Sequence, residues 1–334
     1  MSFRCRLCQQ ILGECWQAKD AKSGEMLDLV LCADCGLVQQ QSIPESQQLA
    51  VYYSHHYRQD YKSTYAPKLK HVYRAGAAAL TRLAFMARAG IPLGLRLLDV
   101  GAGGGEFCYL AGKAGYQASG IEPNLGYSAF ARAQYAVGIV TAGMESLDEQ
   151  QADVITLFHV LEHLPDPGQA IGKLWEALRP GGFLVIEVPN LHQNDASPSN
   201  IYFRAHLFYF TRYSLLAAAS RHFELLCMED GGNLQMALRR RAEPLAESLL
   251  PTPAQVEITR ARLREKGWVE YLFAGRGLVK PLRRLERLWG EARLARKTPR
   301  QLLDSLSLDD IQRRPHALRL ALAGGVAIAL DACT

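Results

Sequence analysis

The stretch Leu97-Leu98-Asp99-Val100-Gly101-Ala102-Gly103-Gly104-Gly105-Glu106-Phe107 decides the fold. Leu97, Leu98 and Val100 suit a strand covered on both faces, and the glycines let the backbone turn sharply and approach a ligand. Glu106 then opens a helix. In an open parallel sheet, a strand-to-helix turn of this kind is where a nucleotide-like ligand binds. The dinucleotide fingerprint asks for another glycine three positions after the second, and that position is Glu106 here.

Downstream, Ala118-Ser119-Gly120-Ile121-Glu122-Pro123 reads as a second short strand ending in a carboxylate, at the distance where such folds hold a ribose. A helix over residues 127–135 leads to a short strand at Ile139-Val140, and residues 153–158 form a near-continuous apolar run typical of a central parallel strand. The carboxyl end of that run delivers His159-Val160-Leu161-Glu162-His163-Leu164-Pro165-Asp166-Pro167. A helix over 169–178, the turn Arg179-Pro180-Gly181-Gly182 and a fifth strand over 183–190 follow. A helix at 214–219 and strands at 224–228 and 234–238 close the series. Such alternation predicts βαβ units and an α/β fold around a parallel sheet.

Asp99, Glu122-Pro123, His159-x-x-Glu162-His163-Leu164-x-Asp166-Pro167 and Arg179-Pro180-Gly181-Gly182 have an order and spacing that resemble the class I S-adenosylmethionine-dependent methyltransferases, over about residues 94–240. The resemblance implies a Rossmann-like, seven-stranded, mostly parallel sheet and S-adenosylmethionine as cofactor. It places Asp99 at the methionine end, Gly101, Ala102 and Gly103 in the backbone cradle, Glu122 and Pro123 at the ribose, and Phe158 and His159 along the facing wall. Many members carry an acidic residue after the third strand that accepts from the adenine amine. Met144 stands there instead, so Met144 is expected on the purine face, with the amine left to Glu145 or a backbone carbonyl.

Methyl transfer from a sulfonium is an in-line displacement, and a base is needed only where the nucleophile carries a proton. His159, after the fourth strand, and His206, in the loop after the fifth, are the candidate catalytic bases. Each could equally serve as a backbone cap or as packing for the cofactor. Glu162 and His163 read as structural, since an acidic residue in a first helical turn complements the dipole. Alternatively His159, Glu162 and His163, at i, i+3 and i+4 of one helix face, would hold a second metal with His206 or His192.

The chain opens with Cys5-x-x-Cys8 and, after 23 intervening residues, Cys32-x-x-Cys35-Gly36. Two such turns complete a closed, tetrahedral, structural zinc site, with Met26-Leu27-Asp28-Leu29-Val30-Leu31 as a strand of the hairpin between them. Cys15, Cys108, Cys227 and Cys333 read as core or surface residues. The cysteine module and the tyrosine-rich stretch after it resemble bacterial methyltransferases with an amino-terminal zinc module, including sugar C-methyltransferases. That implies a nucleotide-linked sugar or glycan precursor as substrate class. In those enzymes a Tyr-His-Glu-His cluster follows the fifth strand. Of it only His206 remains here, which turns the expected acceptor atom from carbon to oxygen or nitrogen.

Tyr53, Tyr57, Tyr61 and Tyr65 recur every four residues, giving one helical face that either packs on the core or forms a lid with Tyr65 reaching the cofactor carboxylate. Residues 236–334 hold 19 of the 38 Lys+Arg but 11 of the 33 Asp+Glu, so the tail is basic and the rest slightly acidic. The tail would pack across a cleft or a dimer partner, lie on an anionic membrane surface, or hold nucleic acid. No apolar leader opens the sequence, and the run at 318–330 carries Arg319 and is too short to span a bilayer, so a cytoplasmic protein, monomer or homodimer, is expected. The expected divisions are a zinc ribbon at 1–45, a helical lid at 46–92, a cofactor-binding domain at 93–240 and a basic helical extension at 241–334. The leading reading is methylation of an oxygen or nitrogen on a sugar-type small molecule. An RNA methyltransferase using ribbon and tail, and a cofactor-binding subunit without turnover, are the alternatives.

Overall fold

A computed structural model describes residues 4–11, 13–44, 66–275, 277–280 and 297–307. Tyr65 with the tyrosines before it, and most of the basic segment after Lys280, lie outside the described residues. In chain order the elements are β1 (Glu14–Lys19), β2 (Met26–Leu31), β3 (Val38–Gln40), α1 (Leu69–Arg88), β4 (Arg96–Val100), α2 (Glu106–Ala114), β5 (Gln117–Ile121), α3 (Leu125–Tyr135), β6 (Gly138–Val140) and β7 (Ala152–Phe158). They continue as α4 (Pro167–Ala177), β8 (Leu178–Pro189), β9 (Phe208–Tyr209), α5 (Arg212–Ser220), β10 (Phe223–Asp230), β11 (Asn233–Arg240), α6 (Pro253–Glu265), α7 (Trp268–Phe273) and α8 (Pro299–Asp304).

The larger sheet has seven strands in the order β10-β11-β8-β7-β4-β5-β6. β4 pairs in parallel with β5 and with β7, β5 pairs in parallel with β6, and β10 and β11 form an antiparallel pair. This is the Rossmann-like α/β methyltransferase fold. Val154, Ile155 and Leu157 of β7 are fully buried, which explains the unbroken apolar run of a strand covered on both faces. Arg179-Pro180-Gly181-Gly182, expected as a separate turn, is absorbed into the start of β8, where Gly181 takes the left-handed φ of 74° that the bend requires.

The chain packs as two units, Met1–Ser46 with Phe158–Glu176 and Ile186–Lys280, and Gln47–Leu157 with Ala177–Val185 and Pro281–Thr334. In the first, a smaller sheet runs β1-β2-β3-β9. Leu27, Leu29 and Leu31 point from β2 into a core with Val38, Leu191 and Tyr209, against which Trp16 and Tyr202 pack. β3 pairs with β9 through Val38↔Tyr209, so residues 208–209 complete the sheet of the cysteine module. In the second unit Leu302 and Leu303 of α8 are buried. Gly76 of α1 is what admits that helix, since a Cβ there would come within 2.5 Å of the Leu303 and Leu306 side chains. Among the described residues no helix is long and apolar enough to cross a membrane.

Candidate functional site

In the second unit the turn after β4 is built as its glycines suggest. Gly101, Gly103 and Gly105 have φ of 78°, 57° and 80°, a region that L side chains enter at a cost. The Gly101 and Ala102 N–H groups donate to the Ile121 carbonyl, tying the turn to the end of β5. The buried Glu122 carboxylate accepts from Gly103 N–H at 2.8 Å and from Asn124 N–H at 3.1 Å, which fixes its orientation beside the turn. Pro123 leads into α3, and Met144 and Glu145 sit on a one-turn 3-10 helix, Met144 half-buried and Glu145 exposed.

Asp99 is buried and accepts a 2.6 Å hydrogen bond from the Thr156 hydroxyl. Burial raises its pKa to about 7, against the Thr156 bond and the Arg82 charge, which lower it. A carboxyl in that position is suited to a cationic ligand group, whose charge would restore full ionisation. The turn, the oriented Glu122 and the buried Asp99 therefore fit a ligand with ribose hydroxyls and an ammonium group, as S-adenosylmethionine has.

In the first unit the residues after β7 do not form the expected helix face. His159 has a left-handed φ of 55°, and Leu161–His163 make a single 3-10 turn. The His159 ring is gripped at both nitrogens, Nδ1 lying 3.3 Å from the Glu162 carboxylate and Nε2 lying 2.9 Å from that of Glu187. Glu187, on β8, is itself held by Asn233 and Gln235 of β11 at 3.1 and 2.6 Å. Burial alone would lower the His159 pKa, but the hydrogen bonds to Glu162 and Glu187 outweigh it and raise it to about 9. Its side chain is still 37% exposed, so this charged ring is reachable.

Glu162 is buried and held down to about 2, burial being outweighed by His159 and the neighbouring histidines. His206 lies edge-on to His163, with ring centroids 4.9 Å apart, and burial lowers its pKa to about 3. His192 lies apart from this group, 3.2 Å from the Thr259 hydroxyl. The sequence pointed to His159, Glu162, His163 and His206 but missed Glu187, whose signal was a lone charge in the apolar run of β8. It also missed Gln40, whose side-chain amide donates to the carbonyls of Arg204 at 2.9 Å and His206 at 2.7 Å. Gln40 thereby links the cysteine module to the His206 loop.

The four cysteines converge, with their sulfurs within 4.8 Å of one another and the Cys5–Cys35 and Cys8–Cys32 pairs each at 3.5 Å. Each Cys-x-x-Cys turn ends on a left-handed residue, Gln9 or Gly36, whose N–H donates back to the carbonyl of the first cysteine. The group could hold a metal ion.

Sheet order and glycine turn together define a methyltransferase-type α/β domain. The profile of the methyltransferase domain family matches residues 69–236, half of the chain, and the chain belongs to that family. It is 30% identical over 103 residues to a ubiquinone biosynthesis O-methyltransferase of Bradyrhizobium sp. strain ORS 278, covering 29% of this chain and 41% of that protein. A protein of the same description from Alkalilimnicola ehrlichii is 30% identical over 105 residues, covering 29% and 42%. The chain thus spans about two fifths of the length of the curated relatives it matches. Among solved structures it is similar to magnesium protoporphyrin IX methyltransferase from Synechocystis PCC 6803, with 13% identity, a TM-score of 0.44, and coverage of 60% of this chain and 99% of that one.

Proposed function

We propose that this protein is an S-adenosylmethionine-dependent O-methyltransferase acting on a hydroxyl of a small molecule. The observation that carries the reading is the glycine turn of the second unit, with the buried Asp99 and the oriented Glu122 carboxylate beside it. Asp99, Gly101, Ala102, Gly103, Glu122 and Pro123 would hold the cofactor, with Met144 and Glu145 toward the adenine. The cofactor supplies an electrophilic methyl group on a sulfonium sulfur. The chain's own residues bind and orient; His159 is charged at neutral pH and becomes a base only after it has released one proton to solvent, when its neutral ring can accept the acceptor's proton. Glu187 keeps the ring in place and stabilises the imidazolium, as an orienting carboxylate does. His206, held neutral, is a poor base and serves instead as an acceptor or ligand nitrogen.

The cysteine group fits a closed zinc site. A tetrahedral ion bound at about 2.3 Å spaces its sulfurs about 3.8 Å apart, close to the observed pairs. Its part is scaffolding, through β3, β9 and Gln40. The resemblance of this module to that of sugar methyltransferases favours a sugar-type acceptor. The description of the curated relatives, ubiquinone biosynthesis O-methyltransferases, favours an oxygen acceptor on a precursor of a ubiquinone-like compound. Incubation with isotope-labelled S-adenosylmethionine and a lysate of the source organism, followed by mass analysis, decides between them. An O-methylated sugar or phenol supports the reading. A C-methylated product, labelled RNA or no transfer despite cofactor binding overturns it.

A further inference from the structure

We propose that the outward face of α7 and the turn that follows it form a docking surface for an anionic lipid bilayer. Trp268, Val269, Phe273 and Leu278 are 56%, 74%, 73% and 63% exposed, and Val279 beside them is also exposed. The first three fall within about 140° of arc around the helix, so they share one face. Single exposed apolar residues are ordinary on a protein surface, but a group of them on one short element marks a contact surface.

The opposite face of α7 holds it to the rest of its unit. Glu270 accepts from Arg262 of α6, and the Tyr271 ring lies on Gly277, where a Cβ would come within 2.7 Å of it. Gly275 packs directly on the backbone of Asn194, since a Cβ there would stand 1.9 Å from the Asn194 carbonyl oxygen. Three cations then fasten α6, α7 and the turn to the loop after β8. Arg262 donates to the His192 carbonyl at 3.1 Å, Lys266 to that of Gln193 and Lys280 to that of Asp195. All of these residues belong to the first unit. The apolar face is therefore presented on an anchored element.

Charge decides what covers it. Residues 253–297 hold 12 Lys+Arg against 5 Asp+Glu. Within the described part of that segment Arg264 is exposed, while Glu265 and Glu270 are both paired with Arg262. A second copy of the chain docking face to face would set this basic surface against itself, which disfavours a dimer here. Nucleic acid would pair with the cations but leaves Val269 and Leu278 without a partner. A bilayer with anionic headgroups meets both demands. The apolar side chains enter the boundary between headgroups and acyl chains, the amphipathic Trp268 ring sits at the interface, and the cations lie among the phosphates. The inference concerns where the protein docks and does not rest on the methyl-transfer reading.

The test is co-sedimentation of the full chain with vesicles of phosphatidylcholine alone and of phosphatidylcholine with about one third phosphatidylglycerol. The expected result is binding to the anionic vesicles, much weaker binding to the neutral ones, and a loss of about tenfold when salt is raised from about 0.1 to about 0.5 M. The double variant Val269→Ser, Phe273→Ser keeps every charge and should bind about tenfold more weakly. Leu93→Ser, a change at another exposed leucine, should bind like the wild type. Substitutions at exposed positions should leave the melting temperature unchanged, which is checked on each variant. No sedimentation with anionic vesicles, equal binding to neutral ones, or undiminished binding by the double variant overturns the proposal. So does a gel-filtration dimer, or the capture of a labelled RNA oligomer, that the double variant abolishes. The lipid and salt dependence of the wild type decides the matter even where a variant fails to fold. S-adenosylmethionine affinity measured on the same samples reports on the methyl-transfer reading separately.

Discussion

His159 carries both backbone strain and charge. A non-glycine residue at φ 55° is strained by about 1–3 kcal/mol and persists only where its surroundings hold it. Here Glu162, Glu187 and the His159 N–H bond to the Glu187 carbonyl do so. Because its folded pKa is raised from 6.5 to about 9, its contribution to stability is fully present below pH 6.5 and lost as pH rises through 9. His159→Gln should therefore destabilise the protein most at pH 6 and least near pH 10, as read from denaturant midpoints. An effect independent of pH would contradict the ion pair. Asp99 gives the opposite dependence for ligand binding. With a free-protein pKa of about 7 and ionisation needed for a cationic ligand, S-adenosylmethionine affinity should fall about tenfold per pH unit below 7. Calorimetry at pH 5, 6, 7 and 8 checks it, and Asp99→Asn should flatten the curve.

At the scale of elements, Gln40 of β3 links the cysteine module to the His206 loop. Gln40→Ala removes hydrogen bonds worth about 1 kcal/mol each. It should lower the melting temperature and shift the His206 ring resonances while the zinc proposed at the four cysteines stays in place. Chelation of that metal should melt β1, β2 and β3, seen as loss of the near-UV signal of Trp16. Retention of that signal without metal would show that the core of Leu27, Leu29 and Leu31 folds unaided. Much of this level was legible in the sequence. The limits of β2, β4 and α2 follow from apolar patterning and glycine placement, which are local. The pairing of β3 with β9 was not, because two residues at Phe208–Tyr209 carry no periodicity and are strand only by virtue of their partner. The helix expected at His159–His163 fails for a related reason. The carboxylates of Glu162 and Glu187 pull His159 into a left-handed conformation that no helix accommodates.

Across the whole molecule, the glycine turn and the alternation of strands and helices were readable because each obeys its own local chemistry, whereas the count of seven strands came from the family resemblance. Partners that come from distant strands, such as Glu187 with Asn233 and Gln235, become visible only once the sheet order is known. The central claim is that the turn at Gly101–Gly105, with Asp99 and Glu122, binds S-adenosylmethionine. The most direct measurement is calorimetric titration of S-adenosylmethionine into the wild type, Gly101→Val and Asp99→Ala, with folding checked by circular dichroism and metal content measured on each. A side chain at φ 78° and the loss of the buried carboxylate should each weaken binding by about a hundredfold or more, the cost of a few kcal/mol, with the cysteine site still loaded. Wild-type affinity retained in both variants would contradict the account.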